Sequence, residues 1–140
     1  MRTYSYVRRL QWSECDPGGI IFFPHYARWM VDGLNEMLLK LGIDPNEVKD
    51  SDSRGGLPVL GLTMRFHGAP ILHEQVTHRI LVDKVGGKSI ALRHQFLRGD
   101  QLLMEAEETR VWATHPLTDP TALRTVAVPD KVRAALEQGD

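Results

Sequence analysis

The chain has one cysteine, Cys15, in 140 residues, so no disulfide can form within it, which fits a reducing compartment. Cytoplasmic location is therefore the expectation. No apolar run approaches the roughly 20 residues needed to cross a bilayer, so no membrane partner is expected. The N-terminus, Met1-Arg2-Thr3-Tyr4-Ser5-Tyr6, enters strand-like sequence directly and shows no signal-peptide pattern. Charge of either sign is also lacking in excess. With 17 Lys and Arg against 18 Asp and Glu, the net charge is −1, which provides no general field for nucleic acid. The six histidines, His25, His67, His73, His78, His94 and His115, show no metal-ligand pairing, and neither a metal nor another cofactor is expected. There is no internal repeat or low-complexity tract.

What is present is the composition of a soluble globular protein, 42% hydrophobic and 25% charged. The length suits one domain spanning residues 1–140. Residues 3–13 read as a first strand. Tyr26, Trp29, Met30, Gly33, Leu34, Met37, Leu38 and Leu41 then recur at i, i+3, i+4, i+7 spacing, which predicts one long amphipathic helix. Pro24 suits its first position and Gly42 its C-terminal cap. Residues 44–56 read as an exposed connection. Strands are predicted over 57–67, 76–85, 88–97 and 102–114, with Gly86-Gly87 and residues 98–101 as hairpin turns. Residues 115–122 form a loop, 124–128 a short strand, and Pro129-Asp130 opens a short final helix. This order predicts an α+β domain: one long central helix wrapped by a curved antiparallel sheet of about five to six strands, with a short C-terminal helix.

The most informative stretch runs from Glu14 to Trp29. Asp16 ends the strand-like segment, Pro17-Gly18-Gly19 turns, and Ile20-Ile21-Phe22-Phe23 leads into Pro24. A carboxylate thereby lies one short loop from a helix N-terminus, where free N–H groups and the helix dipole stabilise negative charge. That geometry suits hydrolysis, while the same residues could serve only as an Asp-Pro turn. Glu14 shares strand parity with Asp16 and reads as a surface charge at the strand end. Cys15 reads as a small buried thiol.

Asp16-Pro17-Gly18-Gly19-Ile20-Ile21-Phe22-Phe23-Pro24-His25-Tyr26-Ala27-Arg28-Trp29 resembles the motif of the 4-hydroxybenzoyl-CoA thioesterase family, hotdog-fold enzymes that hydrolyse acyl-CoA thioesters. Gly86-Gly87-Lys88-Ser89, Thr109–Ala113 and Arg124–Pro129 resemble later segments of the family. The resemblance implies an acyl-CoA substrate and a homodimer or homotetramer with sites at the subunit interface. It implies that Asp16 acts as nucleophile or general base, that the Phe23 backbone N–H polarises the thioester oxygen, and that Gly19 lies beside the bound thioester. Lys88 and Arg124 match positions that meet CoA phosphates, with Ser89 in the same hairpin. Ile20, Phe22, Tyr26, Trp29, Met30 and Leu57 are the remaining candidates for substrate contact.

Three departures from the family pattern bear on substrate. An Asp that meets the phenol hydroxyl in close relatives is replaced by Val31, with Asp32 rotated by about 100° on the helix. A threonine is replaced by Leu57, and a basic pair before Lys88 by Gly86-Gly87. The first two favour an aromatic or otherwise apolar acyl group over 4-hydroxybenzoyl. Two rival functions share these residues. One is a hotdog acyl-thioester hydratase or dehydratase recruiting His25; the other is a non-catalytic acyl-CoA-binding module.

Overall fold

The computed structural model describes residues 1–47 and 52–139. Helix α1, Pro24–Lys40, forms where the apolar spacing predicts it, and buries Tyr26, Trp29, Met30, Gly33, Leu34, Met37 and Leu38 along one face. It ends on Gly42 at φ 76°, and the Ile43 N–H returns to the Leu38 carbonyl at 2.8 Å. That left-handed residue costs least as glycine.

Around α1 runs a five-stranded antiparallel sheet in the order β1-β4-β5-β6-β3. Its strands are β1 (Thr3–Arg9), β3 (Val59–Phe66), β4 (Gln75–Val85), β5 (Ser89–Arg98) and β6 (Gln101–Val111). A smaller sheet, β2-β7-β8, contains Ser53–Gly56, Ala113–Pro116 and Arg124–Thr125. Register shifts between Val82 and Lys84, Val59 and Gly61, and Phe96 and Leu97 mark bulges that bend the large sheet. Helix α2 (Asp130–Glu137) buries Val132 and Leu136 against Ile80, Val82 and Val85. This is the hotdog arrangement implied by the resemblance.

Several elements differ from the sequence reading. The first strand stops at Arg9, and Trp12–Glu14 form a 3-10 turn closed by the Gln11 N–H donating to Glu14 Oε1 at 2.9 Å. Within the connection read over 44–56, Ser53–Gly56 is a strand paired with β7; this Gly- and Arg-containing segment has no strand pattern of its own and is ordered by its partner. Residues 48–51 of that connection lie outside the described residues. The long strand over 102–114 is two strands in different sheets, parting at the buried Trp112, and His115 belongs to β7. The last short strand covers only Arg124 and Thr125.

Beneath the middle of α1 lies a row of polar groups. Tyr6 Oη lies 2.7 Å from His78 Nδ1, His78 Nε2 lies 2.9 Å from His94 Nδ1, and His94 Nε2 lies 2.8 Å from Glu108 Oε1. Arg110 Nε donates to Glu108 Oε2 at 3.2 Å. Both histidines are fully buried, and one proton assignment satisfies the row: Tyr6 O–H to His78, His78 N–H to His94, His94 N–H to Glu108. Burial would raise the Glu108 carboxyl, but the His94 hydrogen bond and Arg110 hold it below the usual carboxylate range. Burial, then the His94 ring and Arg8, push His78 down to about 2, so the fold holds it neutral.

A Cβ placed on Gly33 would lie 2.7 Å from His78 Cε1 and 2.8 Å from the Tyr6 hydroxyl. Gly33→Ala is therefore expected to destabilise the protein by about 1–2 kcal/mol in denaturant titration, although alanine is worth about 1 kcal/mol more in a helix. A gain in stability would contradict the close approach. The unfolded chain protonates His78 near its ordinary value of about 6.5 while the fold does not, so stability must fall as pH drops below that value. Urea unfolding between pH 7 and pH 5, above the carboxylate range, should lose up to about 1.4 kcal/mol per pH unit; a flat profile would exclude a neutral buried His78.

Candidate active site

The 3-10 turn delivers the chain into a tight hairpin-like loop. The Phe22 N–H donates to the Glu14 carbonyl at 2.8 Å and closes its base. Cys15 bridges Ile21 across it. The Asp16 N–H donates to the Ile20 carbonyl at 2.9 Å, and the Gly19 N–H returns to the Asp16 carbonyl at 3.1 Å. Gly19 sits at φ 84°, a conformation that disfavours any side chain there. Asp16 is half-buried; its Oδ1 accepts the Gly18 N–H at 2.8 Å, while Oδ2 takes no hydrogen bond among the described residues. The turn reading and the presentation of a carboxylate oxygen are thus both realised by one residue.

The loop runs into α1 within two residues. Pro24 has no N–H, and the His25 and Tyr26 amides turn back to the Phe22 and Phe23 carbonyls at 2.9 and 3.1 Å. Among the described residues, none accepts from the Phe23 N–H. That leaves one free amide at the positive end of the only long helix among the described elements. Around this corner Ile20, Phe22 and Phe23 are 39, 49 and 58% exposed, and Phe23 meets Phe66 of β3 edge-on at 6.1 Å.

Glu14 is not the surface charge that its place in the sequence suggests. It is 1% exposed, with Oε2 accepting from Trp29 Nε1 at 2.5 Å and Arg28 Nη2 at 2.8 Å. Burial would raise its carboxyl, but the Trp29, Gln11 and Arg28 donors hold it below the ordinary range. The turn Gln11-Trp12-Ser13-Glu14 gives no local signal of this burial, because the Arg28-Trp29 pair that encloses the carboxylate comes from α1. Cys15 is half-buried rather than buried. Burial and the charges of Asp16 and Glu14 push its thiol up, which makes it a poor nucleophile.

The other expected site residues are divided among several places. Tyr26, Trp29 and Met30 are at most 1% exposed and pack in the core beside Phe96 and Met104. Leu57 lines a cavity of about 320 Å³ between α1 and the Gly56-Leu57 segment, with Val31, Asp32, Leu34, Leu38 and Arg110. Arg110 also donates to the Leu57 carbonyl at 2.8 Å. Asp32, expected to be turned away from Val31, lines the same cavity and pairs with Arg8 at 3.4 Å. Lys88 is exposed at the β4–β5 hairpin, with Ser89 half-buried behind it. Arg124 lines a separate cleft of about 380 Å³ with Ser53, Thr114 and His115. No cluster of three or more metal-ligating side chains occurs among the described residues.

A carboxylate oxygen and an open helix-end amide flanking one apolar corner can attack and polarise a carbonyl, and relatives of the chain share the architecture. The described structure and these relatives define a thioester hydrolase of hotdog fold. The chain belongs to the thioesterase-like superfamily, whose pattern matches residues 10–136. A 4-hydroxybenzoyl-CoA thioesterase of Pseudomonas sp. (strain CBS-3) is 30% identical over 135 residues, 91% of this chain and 93% of its own length. The structure of a 4-hydroxybenzoyl-CoA thioesterase mutant complexed with 4-hydroxybenzoyl-CoA superposes with a TM-score of 0.83 at 25% identity, over 97% of this chain and 99% of that one. A gentisyl-coenzyme A thioesterase superposes with a TM-score of 0.79 at 27% identity, over 93% and 99%.

Proposed function

We propose that the protein hydrolyses an aromatic or otherwise apolar acyl-CoA to the free acid and CoA, with Asp16 and the Phe23 amide as the reacting pair. The observation that carries this reading is the unengaged Phe23 N–H, which opens α1 directly after the loop bearing the free Asp16 Oδ2. The thioester oxygen accepts from Phe23 as the carbonyl carbon becomes tetrahedral, and one such donor is commonly worth about 3 kcal/mol of barrier. Asp16 either attacks the carbonyl carbon, giving an acyl-aspartyl anhydride that water cleaves, or takes a proton from an attacking water. In both routes the C–S bond breaks and CoA leaves as the thiolate. Gly19 keeps the approach to the thioester free of a side chain. Lys88 and Arg124 supply positive charge for the CoA phosphates.

The acyl group is assigned to the cavity beside Val31, Leu34, Leu38 and Leu57, whose apolar walls suit an aromatic or aliphatic chain. Phe22 and Ile20, exposed beside the reacting pair, cover the thioester from water. The working unit is a homo-oligomer. β3 is an edge strand, and Val59, Leu60, Leu62 and Phe66 on it are 48, 71, 41 and 52% exposed. An apolar, unpaired strand edge of this kind invites a second copy.

Asp16→Asn is expected to lower kcat at least about 100-fold on the best ester of an aromatic and aliphatic CoA panel, while CoA-ester binding and thermal stability stay near wild type. Near-normal thiol release by this variant would remove Asp16 from the mechanism. Single turnover in labelled water detects the covalent route when label enters the Asp16 carboxylate, which requires an acyl-aspartyl anhydride opened by water at the aspartyl carbonyl. Leu60→Lys should shift the protein toward monomer in light scattering after size exclusion, with turnover falling alongside. An unchanged mass would place the interface elsewhere.

A further inference from the structure

Glu14 is a fully buried carboxylate for which the reaction proposed above has no use. Its four polar contacts come from three directions. Oε1 accepts the Gln11 N–H that opens the 3-10 turn, and Oε2 accepts the Trp29 indole and Arg28 guanidinium of α1. Arg8 of β1 stands 3.7 Å from Oε2. Its own carbonyl accepts the Phe22 N–H that closes the catalytic loop. The residues it brackets are those from Cys15 to Ile21, and the next amide after Phe22 is that of Phe23.

We infer that Glu14 is the positioning residue of the reaction, fixing the loop that carries Asp16 against the helix end that carries the Phe23 amide. The inference rests on the roles proposed for those two residues. Apolar packing alone could hold a turn against a helix, and would avoid the desolvation of a buried charge. A carboxylate adds direction: its lone pairs tie the 3-10 turn and the second turn of α1 to one point, with the Arg8 guanidinium of β1 alongside. Asp16 lies two residues from that point in the chain, and the Phe23 amide one residue beyond the loop closure. Misplacing reacting groups by about 1 Å can cost on the order of 100-fold in rate, so a small release of this anchor is felt in turnover before it is felt in binding.

The test is Glu14→Gln, which keeps the volume but presents an NH₂ group to either the Gln11 amide or the Trp29 and Arg28 donors. On the best CoA ester, kcat should fall about 10- to 100-fold. KM should stay within about threefold, as should the affinity for intact ester measured in an Asp16→Asn background. Trp29→Phe, which removes the indole donor, should lower kcat as well, and the two losses should not multiply in the double variant. A kcat equal to wild type in folded Glu14→Gln overturns the inference. So does a loss shared equally by kcat and ester affinity that disappears on cooling to where the variant is fully folded. Should Glu14→Gln not fold, Arg28→Leu removes a donor from the same oxygen at a side chain that is 57% exposed. A three- to tenfold kcat loss at unchanged KM then supports the inference, and an unchanged kcat overturns it. If wild type releases thiol and Asp16→Asn does not, failure at Glu14 falls on this inference alone. If wild type cleaves no CoA ester, the function proposed above fails and this inference with it.

Discussion

Helix α1 can lie as close to the sheet as it does only because its middle turn has no side chain at Gly33. In that space sit the His78 ring and the Tyr6 hydroxyl, each within 3 Å of where a Cβ would be. The His78 ring stacks on Phe96 at 4.2 Å and passes its polarity sideways to His94 and Glu108. A glycine in a helix interior costs roughly 1 kcal/mol against alanine, and here that cost admits a hydrogen-bonded row that an apolar core would exclude. Two hydrophobic clusters flank the row. One gathers Tyr26, Trp29 and Phe96 toward the start of the helix, and the other Leu34, Leu38 and Trp112 toward its end. The helix start is thereby seated on a rigid aromatic floor.

On that floor the structure separates two carboxylates by a single residue and gives them opposite environments. Glu14 is enclosed and meets donors on both oxygens; Asp16 is half-buried and keeps one oxygen unengaged. Environment rather than residue type sets the two acids apart, one enclosed by donors and the other with an oxygen left open. Pro17, Gly18 and Gly19 make the turn between Asp16 and Ile20 short enough for this contrast to exist within one loop. The apolar cavity lined by Val31, Leu34, Leu38 and Leu57 lies along the flank of the same helix, apart from its N-terminal end.

Much of this was legible in the chain. The spacing from Tyr26 to Leu41 belongs to a helix with one buried face, and Gly86-Gly87 to a hairpin, because both signals are local. What escaped was set by partners distant in sequence. Ser53–Gly56 is a strand because β7 lies beside it, and Trp112 breaks a continuous β pattern by burying itself between sheets. The histidines have no metal-ligand spacing, and the signal that places two of them is parity. His78 alternates with Val76 and Ile80, His94 with Leu92 and Phe96, and Glu108 with Met104 and Ala106, all on inward-facing positions. A polar residue at an inward position of three neighbouring strands marks a buried network. For Glu14 the local pattern pointed outward, and only the arrival of Arg28 and Trp29 from α1 reversed it.

The row under α1 also constrains how this chain can change over generations. A side chain at Gly33 meets the ring at 78, and loss of that ring takes a partner from the Tyr6 hydroxyl and leaves a nitrogen of His94 unpaired. Substitution at one of positions 6, 78, 94 and 108 takes a hydrogen-bond partner from its neighbour in the row. Change at one of these sites therefore favours a compensating change at the site beside it. In descendants of this sequence they should appear as a correlated block, inherited intact or replaced wholesale by an apolar set, while the surface around them diverges freely.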